Sequence, residues 1–386
     1  MSNIQYQQVV VPDGVIDLGV GQPNHALLPF EHVRQAAPSL LDDGPESLQY
    51  GAEWGDGHHR VALAEHLSVG YGVPIAPEHL FSTNGTSQAL DMVCTVMSVP
   101  GDVVIVEDPT YFLAFQIFRD HGLDIRTAPM DGEGIDVAAV VRIVTDVRAA
   151  GGRVAFVYVV PAFHNPTSIT MSQRRRDDLA AAASAIDVPV LADEVYHLLR
   201  HAPGAMPLPM SAYVERAPVV SLGTFSKILA PGLRLGWIHA APSRLEPFAA
   251  SGLIVSGGGL NPISSGLATA MIRTGRQAEH LAFVQATLGR RCAAMVAALR
   301  ATCSDRVSFD VPDGGYFIWL RLPAGISGTQ ARGAARREGV DVRHGALFSA
   351  VGAPDDHLRL SFAYYDEPDI VEGVRRLARA LSSLGT

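Results

Sequence analysis

Short apolar runs alternate with helical periodicity through the middle of the chain. Residues 103–106 form an apolar run that stops at Glu107-Asp108-Pro109. Residues 153–160 are almost continuously apolar, 188–192 repeat the pattern and stop at Asp193-Glu194, and 219–222 and 235–239 follow. Runs of this length suit strands covered on both faces. Between them, 86–97, 111–121 and 172–185 carry helical periodicity. Strands alternating with helices predict an α/β layer around a mostly parallel sheet. In such sheets ligands bind beyond the carboxyl ends of the strands, and the candidate residues below gather at those ends.

The pattern changes near residue 262. Residues 263–301 read as one or two long helices broken near Gly275. Residues 307–311, 316–322, 340–343 and 358–362 read as strands of a second, smaller unit, with Pro312-Asp313-Gly314-Gly315 as a turn. The first 45 residues are loop-rich, with Gly19, Gly21, Pro23, Pro29 and Pro38. The expected organisation is an arm over 1–44 packing with the small domain, a large domain over 45–261 and a small C-terminal domain over 262–386.

Composition narrows the function. The chain of 386 residues is 48% hydrophobic and 18% charged, ordinary for a globular enzyme. A net charge of -9 gives no electrostatic support to nucleic-acid binding. Cys94, Cys292 and Cys303 are widely spaced and fit neither a disulfide framework nor a metal site. The segment Met1–Tyr6 shows no leader pattern and no apolar stretch is long enough to span a membrane, so a cytoplasmic location is expected. Of the 30 basic residues, 29 are arginine and one, Lys227, is lysine. A lysine amine can lose its proton and attack a carbonyl, which guanidinium cannot. A GC-rich genome explains the arginines. It does not explain why the single amine follows Ser221-Leu222-Gly223-Thr224-Phe225-Ser226, seven residues before Arg234.

Other residues become candidates beside it. Gly85-Thr86-Ser87 opens a helix and offers N–H groups and hydroxyls to an anion, although a simple N-cap is the commoner reading. Thr224, Ser226 and Arg234 can complete a phosphate cup. Asp193 ends a buried run, where an acid is costly unless paired; it is either an N-cap or ion pair, or a carboxylate facing a protonated ring nitrogen. Tyr196 can reach the same ring's phenolic oxygen. Asn165 precedes Pro166, which suits a turn, and can donate to that oxygen too. Tyr111 either stacks on a flat ring or packs in the core.

Together these pieces resemble the fold-type I pyridoxal-phosphate enzymes, specifically the class I/II aminotransferases, nearest the branch of 2-aminoadipate and kynurenine aminotransferases. The likeness runs from about Gly19 to Ser361. It is carried by Gly21-Gln22-Pro23, Gln49-Tyr50-Gly51, Gly85-Thr86-Ser87-Gln88-Ala89-Leu90, Asp108-Pro109-Thr110-Tyr111, Asn165-Pro166-Thr167, Ala192-Asp193-Glu194-Val195-Tyr196, Ser226-Lys227 with Arg234-Leu235-Gly236-Trp237, and Arg359-Leu360-Ser361-Phe362, in family order. The resemblance implies a mostly parallel seven-stranded sheet between helices, with a small α+β C-terminal domain and an N-terminal arm. It implies pyridoxal 5'-phosphate as cofactor, carried as an aldimine on Lys227, which then shuttles the proton through a quinonoid intermediate. Asp193 would hold the ring nitrogen, Asn165 and Tyr196 the phenolic oxygen, and Tyr111 the ring face. Gly85, Thr86, Ser87, Thr224, Ser226 and Arg234 would hold the phosphate. Tyr50 would reach the phosphate of a partner subunit, making the active unit a homodimer. Arg359 would take the substrate α-carboxylate as a fork, with Asn165, Gly21, Asn24 and His25 near the substrate.

The chain departs from the family at Ser168, where glycine is usual. His164 lies near the expected substrate position, as a structural residue or as an acid or base. No arginine occurs between Met1 and Glu31, so an acidic substrate side chain has no obvious carrier. The expected reaction moves the α-amino group of an L-amino acid to a 2-oxo acid. Elimination, replacement or carbon–carbon bond formation on the same scaffold is the alternative. A regulator with an aminotransferase-like sensor domain is disfavoured, because the likeness begins near Gly19 and the chain is acidic.

Overall fold

A computed structural model describes residues 8–42, 45–303, 306–352 and 355–384. The segment Met1–Tyr6, on which the absence of a leader was read, and the 44/45 domain boundary fall at or within residues outside this set.

In chain order the strands are β1 (Ile16–Asp17), β2 (Leu80–Thr83), β3 (Val103–Asp108), β4 (Asp124–Asp131), β5 (Gly134–Ile135), β6 (Val154–Val159), β7 (Val190–Asp193), β8 (Val219–Thr224), β9 (Gly236–His239), β10 (Phe317–Arg321), β11 (Val340–Asp341), β12 (Arg343–His344) and β13 (His357–Ser361). The main sheet runs β2-β9-β8-β7-β6-β3-β4-β5. Strands β8, β7, β6, β3 and β4 pair in parallel, while β9 is antiparallel to both β8 and β2. Among the described residues the sheet therefore has eight strands rather than the expected seven. The eighth is β5, a two-residue hairpin return on β4 that is too short to leave a periodic signal.

Side chains of the central strands alternate between two apolar cores. Phe156, Tyr158, Val160 and Leu191 face one core; Val157, Val159, Val190 and Ala192 face the other. With both faces covered, a continuous apolar run is the stable sequence for these strands. Asp193 sits at the carboxyl end of β7, opposite Leu222 of β8.

Beyond the sheet, two helices (Pro262–Arg273 and Arg276–Cys303) are separated near Gly275 as expected. β10, β13 and β12 form an antiparallel sheet. The strand expected over 307–311 is reduced to one bridge, Ser308 to Arg321. β1 pairs in parallel with β11, so a segment of the first 45 residues is stitched to the C-terminal strands.

Candidate active site

Lys227 follows the end of β8. Phe225, two residues earlier, is buried against Trp237 and His59 and anchors the turn. Lys227 is half-buried, with its amine donating to the Gly21 carbonyl at 3.0 Å. The amine lies 5.3 Å from the Tyr316 ring centre and 5.9 Å from that of Tyr196. Burial and the Arg359 guanidinium pull its pKa down to about 8, against the opposing pull of Asp193. A neutral amine is thus accessible near ordinary pH.

Asp193 is buried, and Tyr158 of β6 donates its phenol to Asp193 Oδ2 at 2.7 Å. The other oxygen, Oδ1, is buried without a hydrogen-bond partner among the described residues. Burial raises the carboxyl to about 6, and the Tyr158 hydrogen bond and Lys227 partly offset that rise. A buried carboxylate oxygen left unpaired is costly. It is an acceptor lacking its donor, as a protonated ring nitrogen would supply. Glu194, the next residue, is satisfied within the protein by the Met210 and Ser211 N–H groups and the Ser221 hydroxyl.

The anion cup assembles from two elements. Gly85 caps the Thr86–Met97 helix with φ 86°, and no side chain caps that helix. A Cβ on Gly85 would meet Arg234 Nη2 at 2.8 Å, so glycine lets the guanidinium approach. Thr86 Oγ1 is buried and unpaired. Ser226 Oγ lies 3.0 Å from Thr224 Oγ1 and 3.5 Å from Arg234 Nη1. Helix N–H groups, hydroxyls and a guanidinium therefore converge, the donor set a phosphate requires. Ser87 is exposed at the first turn.

On the other side of Lys227, Arg359 of β13 is buried and rests over the rings of Phe317 (4.1 Å) and Phe348 (4.9 Å). Its Nη1 donates to Asn165 Oδ1 at 2.8 Å and its Nη2 to the Gly19 carbonyl at 2.8 Å, while Nε is buried and unpaired. Burial draws the guanidinium down to about 10. Tyr111 lies at the start of the Phe112–Asp120 helix, where burial lifts its phenol to about 12 and the charges of Asp193 and Arg359 also act on it.

Three expected residues make a local contact or lie at the surface of the chain. Asn24 uses its side-chain oxygen to cap a short turn, accepting from Leu27 N–H at 3.2 Å. His25 is exposed, and Tyr50 is 80% exposed within its own chain. His164 is enclosed, 3.2 Å from Glu107 and 2.8 Å from the Thr167 hydroxyl, inside a buried polar pair rather than open to a substrate. Sequence reasoning missed Tyr158, Tyr316, Phe317 and Phe348. Tyr158 left one usable signal, the sole phenol in an otherwise apolar strand.

An ionisable amine, an unpaired carboxylate oxygen and an anion cup fit pyridoxal phosphate, and Asp193 Oδ1 and Thr86 Oγ1 are among the buried polar atoms that lack a partner among the described residues. Fold and site thus define a pyridoxal-phosphate enzyme of fold type I. Residues 13–377 match the family model for aminotransferase class I and II. The chain is 34% identical to aromatic-amino-acid aminotransferase 1 of Thermococcus litoralis, over 97% of this chain and 89% of the relative. It is 32% identical to 2-aminoadipate transaminase of Thermus thermophilus, over 96% and 91%. Its fold superposes on kynurenine aminotransferase of Pyrococcus horikoshii, solved with PMP, with a TM-score of 0.89 and 32% identity over 97% and 92% of the two chains. The chain belongs to the class I and II aminotransferases and catalyses pyridoxal-phosphate-dependent amino-group transfer. Among the described residues no helix is long and apolar enough to cross a membrane.

Proposed function

We propose that this aminotransferase works through Lys227, Asp193 and Arg359 in the roles their surroundings favour. The observation that carries the reading is the pairing of one depressed-pKa amine with one unpaired buried carboxylate oxygen. When bound, pyridoxal phosphate supplies the electron-withdrawing ring that carries the amino group between an amino acid and a 2-oxo acid. Gly85, Thr86, Ser87, Thr224, Ser226 and Arg234 hold its phosphate. Asp193 keeps its ring nitrogen protonated, Asn165 and Tyr196 bind its phenolic oxygen, and Tyr111 covers its face. Arg359 binds the substrate α-carboxylate as a fork and orients Cα toward Lys227. The Lys227 amine, its pKa drawn down to about 8, takes and returns the α-proton. The aromatic wall of Tyr111, Tyr196, Tyr316, Phe317 and Phe348 excludes water from that transfer.

Gly21, Asn24 and His25 border the substrate in this proposal. A Cβ on Gly21 would meet Phe317 at 3.1 Å and Arg359 at 3.8 Å, which supports a place for Gly21 at the site. We further propose that the chain acts as a cytoplasmic homodimer whose Tyr50 serves the partner's phosphate. Tyr50, Leu48, Leu253, Val255 and Ile263, 51–80% exposed, flank the Gly51–Gly259 bridge, a concentration of apolar surface that suits a subunit contact. The working units are the arm 1–44, the large domain 45–261 and the small domain 262–386.

Borohydride treatment of the holoenzyme followed by peptide mass spectrometry tests the central role. The pyridoxyl group is expected on Lys227. Single-turnover mixing with an amino donor is expected to release a 2-oxo acid; release of ammonia would instead place the chain among the eliminating enzymes.

A further inference from the structure

The loop after β6 carries Asn165, and β10 and β13 carry Phe317 and Arg359. Three contacts tie the loop to these strands and to the turn that leads into β10. Asn165 Oδ1 accepts from Arg359 Nη1 at 2.8 Å. Phe163, at φ 46°, lies against Gly314 and Gly315, where an added Cβ would approach it to 2.4 and 2.7 Å. Ser168 Oγ donates to the Phe317 carbonyl at 2.5 Å.

The third contact is the informative one. Ser168 has φ 63°, a left-handed conformation that a non-glycine residue adopts at a cost. Its own N–H donates to the His164 carbonyl at 2.6 Å, and His164 N–H to the Ile169 carbonyl at 2.9 Å, so the turn is held closed around Asn165. The acceptor is set by strand geometry. In an antiparallel pair, successive residues turn their backbone groups to opposite sides. The Tyr316 carbonyl accepts from Phe362 N–H at 3.0 Å, so the Phe317 carbonyl turns toward the open edge of β10, which is the outer strand of its sheet. Ser168 meets it there. The ring of the same Phe317 is the plate beneath the Arg359 guanidinium, 4.1 Å away.

We propose that Ser168 is a positioning residue, a clasp that joins the Asn165 loop to β10 and thereby holds Arg359 in register for the substrate carboxylate. The proposal rests on the reading of Arg359 as the carboxylate fork. It makes a prediction that a merely local structural role does not. Glycine at 168 relieves the left-handed backbone and deletes the hydroxyl. If the residue served only its own turn, glycine would be neutral or stabilising with no effect on binding.

The test titrates holoenzyme with propionate and 3-phenylpropionate, carboxylates with neither amino nor keto group, by calorimetry. Ser168→Gly is expected to bind them about two- to tenfold more weakly, the worth of one hydrogen bond. Its melting temperature should stay at or above that of the parent, and its affinity for pyridoxal phosphate, held mainly by the phosphate cup and Asp193, should change less than its affinity for the carboxylates. KM for the amino donor should rise by the same factor with kcat preserved. Ser168→Asn, which tolerates the left-handed conformation and keeps a donor, should restore binding. Parent-like carboxylate binding in Ser168→Gly, alongside its loss in Arg359→Lys, overturns the clasp. A loss of pyridoxal phosphate affinity in Ser168→Gly larger than the loss of carboxylate affinity overturns it as well. If Arg359→Lys binds as the parent does, or the parent takes neither probe, the carboxylate reading of Arg359 fails and the clasp with it.

Discussion

Tyr158→Phe isolates the electrostatics of Asp193, because it removes one hydroxyl from a buried strand and little else. The lost bond is the 2.7 Å donation to Asp193 Oδ2, and Oδ1 already lacks a partner. A hydrogen bond to a charged group contributes about 1.5–3 kcal/mol. At about 1.4 kcal/mol per pKa unit, its loss raises Asp193 by roughly 1–2 units. The carboxyl starts at about 6, so it moves to roughly 7–8. Asp193 must be ionised to pair with a protonated ring nitrogen. The acid limb of pyridoxal phosphate affinity should therefore sit near pH 6 in the parent and shift upward by that amount in Tyr158→Phe. Stability follows with a definite sign. A raised carboxyl pKa means the folded apoenzyme holds its proton more tightly than the unfolded chain. The residue favours the fold below its ordinary pKa of 3.8, and that advantage is lost as pH rises through about 6. In Tyr158→Phe the loss extends to higher pH. The assay is equilibrium binding of pyridoxal phosphate to apoenzyme from pH 5 to 9, with Asp193→Asn as a variant lacking this titration. Superimposable acid limbs for the parent and Tyr158→Phe would refute the reasoning.

Lys227→Arg keeps the charge but cannot shed its proton, so kcat should fall by roughly 10²–10⁴-fold or more, with no pyridoxyl mass after borohydride; turnover near the parent level would end the Lys227 assignment. Arg176, fully buried, donates to the Pro161, Met171 and Leu208 carbonyls and lies 3.7 Å from Glu194. Arg176→Met should cost about 3–5 kcal/mol in denaturant unfolding, and an unchanged midpoint would contradict the role given to this buried cation. Tyr50→Phe should weaken pyridoxal phosphate by roughly tenfold or more. Mixed and reassociated with Lys227→Ala, it should give more activity than the two separate proteins supply, because one site of a hybrid dimer carries neither defect; no gain on mixing would count against Tyr50 serving the partner subunit.

The periodic elements were legible where burial is two-sided or capping is local. The strand read over 153–160 is β6, and the helix read over 172–185 is Gln173–Ile186 with Ser172 as its cap. β4 left a weaker signal, since Asp124, Arg126 and Asp131 break its apolar run and half of it faces solvent. β5 and the 307–311 segment depend on one or two pairings that only a neighbouring strand can supply.

The same division holds at the site. The single lysine, the acid at the end of an apolar run, the Gly-Thr-Ser helix opening and the arginine on a buried strand were visible in the chain itself. Each is a residue type out of place in its local pattern. Which atoms remain unpaired was not visible. The free Oδ1 of Asp193 depends on Tyr158 arriving from β6, 35 residues away. The orientation of Arg359 depends on Asn165 and Gly19 arriving from 194 and 340 residues away. Local sequence sets propensity and reactive chemistry, because both act within a few residues. Pairing, desolvation and the resulting pKa values are properties of surroundings that exist only once distant strands have met.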